Sequence, residues 1–346
     1  MLSSIKLATL AVAKTSGVYR LMAASEWRNQ RLLILCYHGI SLEREHEWRP
    51  RLFITPETFE QRLQAIRKAG CNVLPLPEAL NLLYAGRLPE RSLVITFDDG
   101  NHDFIVKAHP LLQSCGYPAT VYLTTYYSDR ELPVFHLICS YMLWKHRDKV
   151  MSVPAVMGGN SVLDLTTPER RDQALQTVTG FAEREGLSAI EKDGLARALG
   201  AAIGEDVDSL WGKRVLHLLN SSEVGALASR GVTFQMHTHR HRSPTARDQY
   251  RREVQENRAS IARKTGTEPA HFCYPSGAHD SSFVSWLAEE NVASATTCEP
   301  GYADAAANPL LLPRLLDHSY LTPLEFEAWL SGAAHLLPRR APARRS

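Results

Sequence analysis

Leu93-Val94-Ile95-Thr96-Phe97-Asp98-Asp99-Gly100 is the stretch on which the reading of this 346-residue chain turns. Five residues without a charge, three of them β-branched, read as a strand buried on both faces, the pattern of a parallel sheet. Two adjacent carboxylates stand at its C-terminal end, and a glycine lets the chain turn away. Residues 31–37 on the N-terminal side form a second apolar run, ending in Tyr37, His38 and Gly39, and residues 119–124 form a third. Helical spacing fills the gaps: residues 55–69, opened by Thr55-Pro56-Glu57 as cap and first turn, then 77–84 and about 103–115. Strand signals return at 232–236, 271–274 and about 293–297, with a helix of alternating charge at about 244–266. Buried strands alternating with helices predict an α/β fold on a parallel sheet. Residues 128–229 break the alternation with mostly helical spacing and no strand of the earlier kind, which predicts a helical insertion.

The chemistry concentrates in two places. Asp98 and Asp99 repel each other in a desolvated cleft, and both stay ionised near neutral pH only beside a cation. The pair therefore suggests that one carboxylate holds a metal and the other does acid/base work; the alternative is one helix cap and one solvated loop residue. His237-Thr238-His239-Arg240-His241 follows directly on a strand signal. Residues i and i+4 share a helical or turn face, so His237 and His241 can offer two imidazole nitrogens to one ion. A carboxylate from elsewhere completes a two-histidine, one-aspartate set suited to Zn²⁺, Co²⁺ or a similar metal, with positions left open for water and substrate. His38, His102 and His239 read as supporting or surface residues, and Asp103 as a helix cap.

The Asp-Asp-Gly strand end and the His-Thr-x-x-His segment, in that order, resemble the first two motifs of the polysaccharide deacetylases, the NodB-homology or family 4 carbohydrate esterases. The resemblance spans residues 32 to about 318 and implies a distorted (β/α)7–8 barrel, with its site at the C-terminal ends of the strands. It implies Asp98 as general base, Asp99, His237 and His241 as metal ligands, and a divalent ion, zinc first and cobalt or nickel next. The third motif falls on Phe272-Cys273-Tyr274-Pro275-Ser276-Gly277, where Cys273 occupies the place of an arginine; this Tyr-Pro-x-Gly form resembles a large subgroup of the family. The loop Tyr274, Pro275, Ser276 and Gly277 would then line the site, with the Ser276 N–H on the oxyanion. Leu316-x-His318 resembles the last motif, with His318 as general acid. The missing arginine suggests that Arg314 supplies the positive charge beside Asp98. No match appears for the family's Asp-Trp pair. The activity implied is metal-dependent removal of N-acetyl groups from amino sugars of a glycan. The alternatives are hydrolysis of another non-peptide C–N bond, such as a formamide or ureide, and a noncatalytic carbohydrate-binding barrel.

Composition sets the remaining bounds. Apolar residues at 44% and charged residues at 22% are those of an ordinary globular protein, and a net charge of +2 gives no ground for a nucleic-acid partner. Six widely spaced cysteines without a Cys-x-x-Cys pair read as reduced thiols. Residues 1–28 read as an N-terminal helix that either packs on the domain or lies on a membrane surface. Residues 29–336 form the barrel with its insertion, and residues 337–346 a basic tail. The expected location is cytoplasmic, with peripheral membrane or lipid-linked glycan contact left open.

Overall fold

The computed structural model of the chain describes residues 2–158 and 161–336, so the predicted basic tail lies outside the described residues. Its principal elements, in order, are α1 (Leu2–Thr15), β1 (Leu33–Tyr37), α2 (Pro56–Lys68), α3 (Leu76–Tyr84), β2 (Ser92–Asp99), α4 (His109–Cys115) and β3 (Thr120–Leu123). Then come α5 (Phe135–Lys145), α6 (Pro168–Arg184), α7 (Ala189–Ile203), α8 (Ser221–Ala228), β4 (Thr233–Met236), α9 (Arg247–Thr265), β5 (His271–Cys273), α10 (Ser281–Glu289), β6 (Ser294–Thr296), β7 (Leu315–Leu316) and α11 (Pro323–Ser331). The strands run in the order β6-β5-β4-β3-β2-β1-β7, every pairing parallel. Leu312, just before β7, forms a parallel bridge to Thr296 in β6. One segment thus touches both ends of the sheet and curls it into a distorted barrel.

The two-residue period of a strand decides what each side chain meets. Leu33, Leu35 and Tyr37 of β1 and Leu93, Ile95 and Phe97 of β2 pack with Phe59, Leu63 and Ile66 of α2 in the layer between sheet and helices. Residues of the other parity, Ile34 and Val94, join Tyr122, Cys273 and Leu312 in a second cluster within the barrel. Asp98 shares the parity of Val94, so the alternation that buries the strand also sends its carboxylate inward. α2 begins as its sequence predicts: the Thr55 hydroxyl accepts the Thr58 N–H at 3.1 Å, and Pro56 opens the helix.

The insertion has its own core, in which Ile138 and Met142 of α5, Val178 of α6 and Leu199 and Ile203 of α7 are buried together. Two findings differ from the sequence reading. Val150–Ser152 and Val162–Asp164 form a short antiparallel pair, too brief to leave a strand signal. α8 belongs to the barrel, because Val224 and Leu227 pack into its core with Phe234, so the separate body ends before residue 220 rather than at 229.

α1 packs on α11: Leu10 is buried with Ala328, Lys6 pairs with Glu325 at 2.7 Å, and Lys14 pairs with Glu327. No helix among the described residues is long and apolar enough to cross a membrane. All six cysteines are free thiols.

Candidate active site

Strand register brings the chemistry to one rim. In the parallel pairing of β1 with β2, Tyr37 lies opposite Phe97. His38 therefore leaves β1 level with Asp98. Met236 of β4 lies opposite Phe272 of β5, which sets His237 level with Cys273. Leu316 of β7 lies opposite Cys36, so His318 leaves β7 beside His38.

Asp98 is 1% exposed and held by Arg314, itself 1% exposed. Arg314 Nη1 donates to Oδ1 at 2.7 Å and Nη2 to Oδ2 at 2.8 Å, a two-pronged ion pair. The guanidinium is fixed in turn, giving its Nε–H to Thr297 O at 2.9 Å and resting Nη2 3.1 Å from Cys273 Sγ. The thiols of Cys36 and Cys273 each stand 3.4 Å from Asp98 Oδ2, and His38 Nε2 lies 3.9 Å from it. Burial pushes the carboxyl pKa up, but Arg314 outweighs burial and holds it far below the usual carboxylate range. Arg314, expected from sequence to supply the charge that Cys273 lacks, stands on Asp98.

Asp99 ends the strand in the left-handed region, φ +69°, and Gly100 follows at φ +80°. A Cβ on Gly100 would come within 2.3 Å of Leu123 Cδ1, so only glycine fits the turn. The turn frees Asp99 from strand alternation. Its Oδ1 lies 3.3 Å from His237 Nε2 and 3.3 Å from His241 Nε2. His237 is oriented through Nδ1, 2.8 Å from Cys273 O, which leaves Nε2 for the site. Burial would raise the Asp99 carboxyl, but the His237 hydrogen bond and the His241 charge hold it well below the usual range.

The two histidines do not meet through a helical turn, as i,i+4 spacing suggested. The segment is irregular, with Thr238 at φ +61° and His241 at φ +54°, and these bends bring the rings to 4.9 Å between centroids. Thr125 Oγ1, 2.7 Å from His239 Nδ1, and the His237 N–H donating to Asn257 Oδ1 at 2.9 Å hold the segment in place. One carboxylate oxygen 3.3 Å from each of two imidazole nitrogens, all three atoms within 4.8 Å of one another, fits a small divalent cation, since donors about 2.1 Å from a tetrahedral ion stand roughly 3.4 Å apart.

Other expected residues fall differently. Asp103 caps no helix; it is buried and accepts the Ile40 N–H at 3.0 Å, pinning the loop after β1. Tyr274 does not line an open site, for it is buried and its hydroxyl donates to Leu310 O at 3.1 Å. Pro275 is buried too, so the accessible part of the loop is Ser276 (φ +56°) and Gly277. His318 is half-buried on the rim, without a hydrogen bond or ion pair to Asp98, Asp99 or their histidines, and its Nδ1 is enclosed without a partner. Burial lowers its pKa. Asp317 turns away to a buried ion pair with Arg62 Nε at 2.9 Å. His38, read from sequence as a supporting or surface residue, sits against Asp98, with Nε2 3.9 Å from Oδ2. Its position one residue past a buried strand, like that of Asp98, was the signal that could have found it.

Residues 185–293 match the family model described as polysaccharide deacetylase, a span that includes His237, His241 and the Tyr274–Gly277 loop but not the Asp98-Asp99 strand end. A deacetylase from Streptococcus pyogenes, PplD, solved in complex with acetate, is similar in fold at TM-score 0.58 and 19% identity, with 87% of this chain and 99% of that one covered. A polysaccharide deacetylase from Bacillus cereus is similar at TM-score 0.54 and 16% identity, covering 87% of this chain and 69% of that one. IcaB from Ammonifex degensii aligns at TM-score 0.51 and 15% identity over 89% and 97%. The search of curated proteins gives no match. Residues 185–293 thus match the polysaccharide deacetylase model, within a barrel whose fold is that of solved deacetylases.

Proposed function

We propose that the rim of this barrel hydrolyses the N-acetyl group of an amino sugar within a glycan, with Asp98 as general base, Asp99, His237 and His241 as metal ligands, and His318 as general acid. The observation that carries the reading is the double arrangement at one rim. Asp99 Oδ1 stands 3.3 Å from each of two imidazole nitrogens, and a separate buried carboxylate is held ionised by Arg314.

The metal would be zinc first, with cobalt or nickel as alternatives suited to the same donors. When bound, such an ion supplies Lewis acidity, polarising a carbonyl and acidifying water. The chain supplies the rest. Asp98 accepts the proton of the attacking water; Arg314 weakens its basicity but keeps it charged over the whole working range. His38 places its Nε2 3.9 Å from Asp98 Oδ2, beside the base. The peptide N–H of Ser276, an exposed residue, donates to the oxyanion that forms as the carbonyl is attacked. His318 then gives a proton to the departing nitrogen. Its lowered pKa makes the imidazolium a stronger acid and confines the charged form to lower pH. The product nitrogen leaves as a free amine and the acyl group as acetate.

The test is acetate release from N-acetylglucosamine oligomers and from an N-acetylated exopolysaccharide, with and without chelator, and with Zn²⁺ or Co²⁺ restored. Release that stops with chelator and returns with metal supports the reading. A metal-loaded protein that frees no acetate from either substrate overturns it.

A further inference from the structure

A cavity of about 300 Å³ lies between the insertion and the histidine loop, at the lower end of the roughly 300–1,000 Å³ usual for ligand sites. One wall is Tyr126 and Tyr127, just beyond Thr124 and Thr125 at the end of β3, together with Arg240 and Arg242, which bracket His241 in sequence. The facing wall comes from the insertion and includes Lys192 and Asp193 of α7. The cavity therefore adjoins the loop that carries a donor to the cation site, and the insertion completes it.

Its charges do not balance. Arg240 is committed, donating to Glu253 at 2.9 Å and Glu256 at 2.6 Å. Asp193 is committed as well, accepting from Trp211 Nε1 and Arg197 Nε at 2.9 Å each. Lys192 and Arg242 have no ion-pair partner among the described residues. Two cations thus remain uncompensated. Tyr126 carries Arg130 over its ring at 3.8 Å, whereas Tyr127 meets Tyr126 edge-on at 5.1 Å and brings its own phenol to the cavity. Two free cations beside a phenol in a concave site suit a sugar bearing an oxyanion, held by charge-assisted hydrogen bonds and by ring contact.

We propose that this cavity is a subsite for an anionic sugar unit of the glycan, one carrying a carboxylate or a phosphate, with Lys192 and Arg242 as its specificity-determining residues. Its service as a substrate subsite rests on the deacetylase reading of the adjoining rim; binding of the anionic sugar does not. The experiment is calorimetric titration of the full chain, stripped of metal so that phosphate cannot bind an ion at the rim. The probes are N-acetylglucosamine, its 1-phosphate, a glucuronate–N-acetylglucosamine disaccharide and inorganic phosphate. At least one anionic sugar binds about tenfold or more tighter than the neutral sugar, the size expected of hydrogen bonds to a charged group, and which one it is separates phosphate from carboxylate. Arg242→Gln and Lys192→Gln each reduce that preference, whereas Arg242→Lys keeps most of it. Equal affinity for neutral and anionic sugars, or a preference untouched by both glutamine variants, overturns the proposal. Inorganic phosphate binding as tightly as the sugar phosphate overturns the sugar part of it. A protein that binds the anionic sugar but frees no acetate from any glycan contradicts the deacetylase reading and leaves the binding site standing.

Discussion

Arg314, one residue before β7, and Asp98, near the end of β2, form a two-pronged ion pair at 2.7 and 2.8 Å with both residues 1% exposed. Cys273 lends a thiol to the same cluster, 3.4 Å from Asp98 Oδ2.

Removing Arg314 leaves a buried carboxylate without its counter-charge. Arg314→Met should therefore lower stability by about 3–5 kcal/mol, read as a fall in the urea midpoint, and abolish most acetate release. Arg314→Lys should lose less, because it keeps the charge and gives up the fork. Full stability in Arg314→Met would show that the pair does not hold Asp98.

His237 and His241 differ in burial, and that separates their effects. His241→Ala, at an exposed position, should lose bound metal and acetate release while keeping the melting temperature of the metal-free protein. His237→Ala also frees the Cys273 carbonyl and leaves a cavity, so it should cost stability by roughly 1–3 kcal/mol as well. Metal content by elemental analysis beside thermal melts checks both, and an active, metal-loaded His241→Ala protein contradicts the ligand set.

Glu223 ties the end of the insertion to the barrel, accepting from Arg214 at 2.5 Å and from the N–H of Asn220 at 2.8 Å. Burial acts against its charge, but His102, Asn220 and Arg214 lower its pKa to about 2. Its folded pKa lies below the unfolded value, so its contribution is complete above about pH 4.5 and is lost as pH falls toward 2. Glu223→Gln should destabilise the protein most at neutral pH, and the gap from wild type should close across that window. A gap that stays constant from pH 7 to pH 3 would show that the charge is not the source.

His38 sits 3.9 Å from Asp98 Oδ2, and its Nδ1 is enclosed without a partner. His38→Ala should reduce kcat at least tenfold with little change in metal content, and His318→Ala should reduce kcat while KM stays within a few-fold. If His38→Ala retains wild-type kcat, that histidine is packing alone.

The parts of this arrangement that local chemistry controls could be read from sequence. The uncharged run before Asp98 had to be a buried strand, and a strand end followed by glycine had to present its carboxylates. His237 and His241 came with their spacing. What escaped was set by register and by distance in the fold. His38 matters because Tyr37 pairs with Phe97, a relation between strands that no local window contains. Asp103 looked like a cap because it precedes a helix, yet its carboxylate accepts the Ile40 N–H, which is far away in sequence. The histidine loop reaches its geometry through positive φ at Thr238 and His241. Neither residue advertises that conformation as glycine would. α8 was assigned to the insertion because helical spacing alone cannot tell which core Val224 and Leu227 enter.

Asp98→Asn tests the central claim most directly, because it removes the charge and basicity of the carboxylate and keeps its shape. Metal content and acetate release should be measured on the same preparation, against wild type. The account predicts wild-type metal loading with a rate at least about 100-fold lower, the usual scale of general-base catalysis. An Asp98→Asn protein that holds its metal and releases acetate at the wild-type rate would contradict it.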